Sequence, residues 1–189
     1  MKARINREKV LLYRLGAETE KGARIQKLLK EIGVQAVELD KTALGQTLGC
    51  LAGLPGYPRE DAEPPATVPE QELMAFSGFS DSRLNAFLRA YREALIPPVH
   101  LKAVVTPHNR DWRLCDLFGE LEKEHAFFQK YQELQQLIAQ AEEQMKSASD
   151  ERAARLEGLI AKGKAFRLEE DPAPAELDSL VLALREAVI

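Results

Sequence analysis

ELMAFSGFSDSRLNAFLRAYREALIPPVHLKAVVTPHNRDWRLCDLFGELEKEHAFF, residues 72–128, decides how the chain is read. Glu72 to Phe76 is apolar and short, as a buried strand is, and Ser77-Gly78-Phe79 is its exit. Ser80 stands where a helix N-cap belongs, ahead of a stripe formed by Leu84, Phe87, Leu88, Tyr91 and Leu95. Ile96-Pro97-Pro98 stops that helix, because neither proline can continue it. His100 to Thr106 is then a second strand, closed by Thr106-Pro107.

The same order occurs upstream. Lys9 to Leu15 reads as a strand, and Thr19 caps a helix whose Ile25, Leu28, Leu29 and Ile32 share a face. Gly33 supplies the left-handed stop, and Val34 to Leu39 is a strand. LLYRLG parallels LMAFSG, and Ile32-Gly33-Val34 corresponds to Ile96-Pro97-Pro98. Residues from about 9 to 106 are therefore a tandem of strand–helix–strand halves. The expected fold is α+β: a ferredoxin-like four-stranded sheet, one face covered by two helices. A doubly wound parallel α/β sheet is the alternative, since a helix follows each half.

Between the halves, ALGQTLGCLAGLPGY places Gly45, Gly49 and Gly53 four apart. No GK[ST] ending is present, so a small-residue face or tightly packed loop is expected rather than a phosphate cradle. Residues 55–69, PGYPREDAEPPATVP, form a semi-rigid proline-rich linker.

Beyond Pro107 the pattern becomes helical. Leu114, Leu117, Phe118, Leu121, His125 and Phe128 share one face, which drifts to Phe127, Tyr131, Leu134, Ile138, Ala141 and Met145. Apolar spacing of this kind over about 30 residues resembles a heptad and calls for a partner helix. Residues 147–150 form a turn, 151 to about 164 a second helix, and Asp171 to Pro174 a break before a last helix. The division expected is 1–112 for the duplicated domain and 113–189 for a C-terminal helical hairpin or bundle. The hairpin is thin in apolar residues and should pack on the sheet domain or on its copy in a second chain, so self-association is the expected partnership.

The turn Thr106-Pro107-His108-Asn109-Arg110-Asp111-Trp112 is the densest polar and aromatic run. As a site, Asn109 and Arg110 would hold an anion, His108 would shuttle protons or bind a metal, and Trp112 would stack on a ring. As structure, Asn109 or Asp111 would cap the following helix, Pro107 would fix the turn, and Trp112 would seal the domain edge. His125, on an apolar helix face, reads as a packed residue. Cys115 is read as a buried thiol beside Leu114 and Leu117, against a lowered pKa in the first turn of its helix. Cys50, Cys115, His108 and His125 match no metal spacing, and no cofactor is called for.

Composition narrows the function classes. The chain has 189 residues, 30% of them charged, and a formal net charge of −4, which argues against a global nucleic-acid footprint. A patch of Arg83, Arg89, Arg92, Lys102 and Arg110 is diluted by intervening acids. Two distant cysteines suit a reducing compartment. The first residues lack the apolar run of a signal peptide, and no run approaches a membrane span, so a cytoplasmic protein is expected.

FSGFSDSRLNAFL, IPPVHLKAVVTPHNRDW and LFGELEKEHAFF together resemble a bacterial family known only as a domain of unknown function, number 3783, over about residues 73–128. The resemblance implies no catalytic role. The expected function is a non-enzymatic regulatory, ligand-binding or interaction module. The alternative is a small enzyme or metal-binding protein using His108, Asn109, Arg110 and Asp111.

Overall fold

In the computed structural model, residues 8–166 and 174–188 are described. The expected break at 171–173 lies outside them. The chain divides into two compact units, residues 1–122 and 123–189.

The first unit carries β1 (Lys9–Tyr13), α1 (Glu20–Glu31), β2 (Gln35–Leu39), a 3-10 turn (Lys41–Gly45), α2 (Leu48–Ala52), β3 (Leu73–Ser77), α3 (Asp81–Glu93), β4 (Leu101–Val104) and the start of α4 (Leu114–Met145). Its sheet has the order β2-β1-β3-β4. β1 pairs with β2 in parallel, β3 with β4 in parallel, and β1 with β3 antiparallel, Leu11 standing opposite Ala75. The tandem of strand–helix–strand halves is thus present in a mixed sheet. Its strand order differs from the ferredoxin-like arrangement expected above. Each half closes its own parallel pair instead of admitting a strand of the other half between its two strands. The wholly parallel alternative is ruled out by the central antiparallel pair.

A second correction concerns the layers. Val10, Leu12, Met74 and Phe76 pack under Ile25, Leu29, Phe87 and Tyr91 of the two long helices. The opposite face, with Leu11, Tyr13, Leu73, Ala75 and Leu101, is covered as well. Leu44, Leu48, Leu114, Leu117 and Phe118 close it. KVLLY and LMAFS are apolar on both alternating faces, which is the composition of a strand buried on both sides. One layer of helices leaves half of those side chains in water.

Local chemistry sets the helix ends. Thr19 accepts from Gly22 N and Ser80 from Arg83 N, both as expected of N-caps. α1 ends at the cap residue Ile32, followed by Gly33 at φ 72°; α3 ends at the cap residue Ala94, followed by Leu95 at φ 51°. Leu95 is therefore the counterpart of Gly33, and the correspondence with Ile96-Pro97-Pro98 is shifted. It also leaves the apolar stripe of α3: at 81% exposure it belongs to the turn and not to the core.

Gly45 at the end of the 3-10 turn and Gly49 in α2 are closely packed, as expected of small residues there. A Cβ on Gly45 would lie 2.9 Å from Glu63 O, and one on Gly49 would lie 2.5 Å from the Tyr57 ring. Residues 58–71 have no regular secondary structure but are fastened down. The buried Gln46 donates to Glu60 O at 2.8 Å and accepts from Glu60 N at 2.9 Å, while Tyr13 and Arg14 donate to Pro69 O.

The second unit holds the rest of α4, α5 (Asp150–Ala165) and α6 (Pro174–Val188). Leu134, Ile138 and Ala141 pack with Leu156, Ile160, Leu177, Val181 and Leu184. The last helix supplies the wall that the hairpin lacks, so the α4 stripe is covered within one chain. Phe128, expected on that stripe, is 51% exposed.

Candidate functional site

The turn that the sequence singles out is built mainly by its own backbone. Asn109 spends both ends of its amide locally: Oδ1 accepts from Thr106 N at 2.8 Å and Nδ2 donates to Val104 O at 2.9 Å. Arg110 N bonds to Thr106 O, and Trp112 N to Asn109 O. The end of the turn then docks on α2, with Leu48 N on Trp112 O and Gly49 N on Arg110 O. Asp111 accepts from the Tyr57 hydroxyl at 2.8 Å, and the Arg110 guanidinium lies 5.9 Å from the centre of that ring. His108 is exposed, its amide bonded to the Thr106 hydroxyl.

Two structural expectations change here. Neither Asn109 nor Asp111 caps α4. Asp116, inside the first turn, reaches back to Arg113 N instead. Trp112 does not seal an edge, since 40% of its surface is open. The Cys115 thiol is raised above its usual pKa by partial burial and then by Asp116, opposite to the lowering that a helix first turn would give. Among the described residues no three His, Cys, Asp or Glu side chains converge as a metal site. Nor is any helix there long and apolar enough to cross a membrane.

A larger cleft lies elsewhere, beside α3 and edge strand β4. Its volume is about 790 Å³, within the range of roughly 300–1,000 Å³ typical of small-molecule sites. Met74, Phe87, Leu88, Leu95, Ile96 and Val99 supply its apolar lining. Three cations, Arg89, Arg92 and Lys102, stand among them, and no acid does. In a chain with net charge −4 that bias is local, not compositional.

The fold explains the cleft. Lys102 pairs across the ladder with Met74 and so occupies the helix-covered face of the outermost strand. Its ammonium donates to Val99 O. Although Lys102 stays exposed overall, its pKa is lowered by burial of the ammonium and by Lys21. The Tyr91 hydroxyl donates to Pro97 O at 2.6 Å, and burial, then the field of Glu72, pushes its pKa up to about 12. Lys21 donates to Glu72 and to Pro98 O, and Arg24 donates to Ala94 O at 2.7 Å and Leu95 O at 3.2 Å. The connector from α3 to β4 is thereby held open by four side chains that satisfy its carbonyls.

Arg89 and Arg92 are different. Neither guanidinium has a hydrogen-bond or ion-pair partner among the described residues. Sequence reasoning noted both arginines and Lys102 only as parts of a diluted patch. The missing signal was spatial: i and i+3 on a helix bring the two arginines together, and the β4 register adds the lysine.

A third feature, a cavity of about 570 Å³, lies at the carboxyl ends of β1 and β2. Several of its charged groups are internally engaged: Glu38 with Ala17 N and Gln26, Asp40 with Thr42, Arg14 with Pro69 O and Arg59 with Thr42.

Residues 72–128 match the family described as Domain of unknown function (DUF3783). The family resemblance is shown over that segment. Every residue lining the α3–β4 cleft falls inside the matched DUF3783 segment, as does the turn at 106–112. No curated protein and no solved structure matches the chain.

Proposed function

We propose that the chain is a non-enzymatic ligand-binding module whose binding site is the α3–β4 cleft. The observation that carries this reading is an open apolar cleft whose hydroxyl and ammonium groups are already committed to backbone carbonyls. Such a cleft binds by shape and burial, and among the described residues no cluster of His, Cys, Asp and Glu stands ready to hold a metal. The turn at 106–112 serves as the junction that fastens β4 and α4 to α2.

A thermal-shift screen of small molecules on wild type and Leu88→Trp tests the reading. Leu88 lines the cleft, so the larger ring obstructs it. Compounds that stabilise wild type and lose their effect in the variant support the site. A screen without hits, or hits indifferent to Leu88→Trp, contradicts it.

Self-association through the helical unit is part of the same proposal. The buried α4 stripe is not available for it, but Phe128 and Leu182 are large, apolar and more than half exposed. Light scattering that returns a monomer at all concentrations removes this part.

A further inference from the structure

We infer that the α3–β4 cleft takes an apolar monocarboxylate, an aliphatic or aromatic tail carrying one anionic head. The inference rests on the binding reading above and adds the chemistry of the ligand. The tail is matched by Met74, Phe87, Leu88, Ile96 and Val99, which offer a surface without a free donor or acceptor. The head is matched by Arg89 and Arg92. Arg24, at the same connector, is held by backbone carbonyls, whereas Arg89 and Arg92 present exposed guanidiniums at the cleft. Neither has a carboxylate or carbonyl partner among the described residues.

The acid whose field raises Tyr91 is Glu72, and it is bound by Lys21. No protein carboxylate lines the cleft to satisfy the arginines. Two adjacent forks and an added lysine favour a carboxylate head, which accepts two parallel hydrogen bonds from one guanidinium. A cationic head meets like charge from all three sides, and a neutral head leaves the arginines unanswered. Each methylene buried raises affinity roughly fourfold. Affinity is therefore expected to rise with chain length until the cleft is full.

Calorimetric titration with octanoate, below its micellar concentration, tests this on the full chain. Octanol and octylammonium are compared as the same tail with a neutral or cationic head. Octanoate is expected to bind one per chain and to lose at least tenfold in affinity in Arg89→Ala/Arg92→Ala. Both arginines are exposed, so the double variant keeps the fold, and circular dichroism checks that it does. Octanol binding is expected to be unchanged by the same pair. Equal or tighter binding of octylammonium overturns the inference, as does octanoate binding indifferent to the double variant. If octanol binds, is blocked by Leu88→Trp, and octanoate does not bind, the site stands and the anionic assignment falls. If no ligand binds the cleft, both fall. A dimer split by Leu95→Asp would show a second copy as the occupant and also overturn the inference.

Discussion

Arg24 and Arg83 each close the other's helix. Arg83 of α3 donates to the carbonyl of Ile32, the C-cap of α1, at 2.6 Å; Arg24 of α1 donates to the carbonyl of Ala94, the C-cap of α3, at 2.7 Å. The relationship follows from the sheet. Because β1 and β3 run antiparallel, the helices that return from them do too, and the start of each lies beside the end of the other. A guanidinium at that place meets carbonyls without an intrahelical partner and the negative end of a helix dipole. Arg83 is further held by Glu8 at 3.0 Å.

Arg83→Ala is accordingly expected to destabilise the sheet unit by about 1–2 kcal/mol, a charged hydrogen bond discounted for partial exposure. Arg24→Ala, in a more exposed setting, should cost less. Urea unfolding followed by Trp112 fluorescence measures both, since the tryptophan lies in that unit. An Arg24→Ala effect larger than that of Arg83→Ala would contradict the ranking.

Leu95 offers a gain in stability. A leucine at φ 51° pays a left-handed penalty of about 1 kcal/mol that a glycine avoids. Its side chain is 81% exposed and contributes little burial in return. Leu95→Gly is expected to raise the urea midpoint, and Leu95→Val to lower it. Such strain at the mouth of a cleft is consistent with a residue kept for binding, so Leu95→Gly is also expected to weaken octanoate.

Two helical glycines should respond with opposite signs to the same substitution. Alanine is favoured over glycine by about 1 kcal/mol in a helix interior. Gly158 of α5 has open space where a Cβ would stand, so Gly158→Ala should stabilise the helical unit. At Gly22 of α1 the added carbon would lie 2.0 Å from Gly16 O and 2.5 Å from Leu15 O. Those are backbone atoms of the loop on which α1 rests, and they cannot swing aside. Gly22→Ala should destabilise by more than the propensity gain, read as a fall in the melting temperature of the sheet unit.

Tyr91 gives a pH dependence. Its pKa is raised from 10.0 to about 12 in the fold, so the stability it contributes is fully present below pH 10. That contribution is lost as pH rises from 10 through 12, by no more than about 2 kcal/mol for a two-unit shift. Lys102, whose pKa is lowered, acts in the opposite sense over the alkaline range. Tyr91→Phe removes the tyrosine term alone. Its stability should therefore fall less steeply than wild type between pH 10 and 12, measured by urea midpoints across that range.

What the sequence made legible, and what it did not, separates along physical lines. Thr19, Ser80 and the apolar stripe through Ile25 and Leu29 act within a few residues of themselves, so spacing alone exposes them. The strand order is different. Whether β2 lies outside β1 or admits a strand between them depends on contacts tens of residues apart. The covering of the second sheet face by Leu48 and Leu114 is of the same kind, although apolar residues on both alternating faces of KVLLY and LMAFS already demanded it. At the turn, Asn109 reads as a ligand or as a helix cap, and it is not the cap. Its amide locks Thr106 and Val104, a closure that becomes visible only once the backbone has turned. The cleft escaped notice because Arg89, Arg92 and Lys102 read as members of a mixed surface until α3 and β4 bring them beside Leu88 and Val99.

An amide-resolved NMR titration of the full chain with octanoate tests the central claim most directly, because it reports where the ligand binds. The α3–β4 account predicts saturable shifts concentrated between Asn85 and Lys102, with His108 to Trp112 unmoved. Shifts centred on His108 to Trp112, or none that saturate, would contradict it.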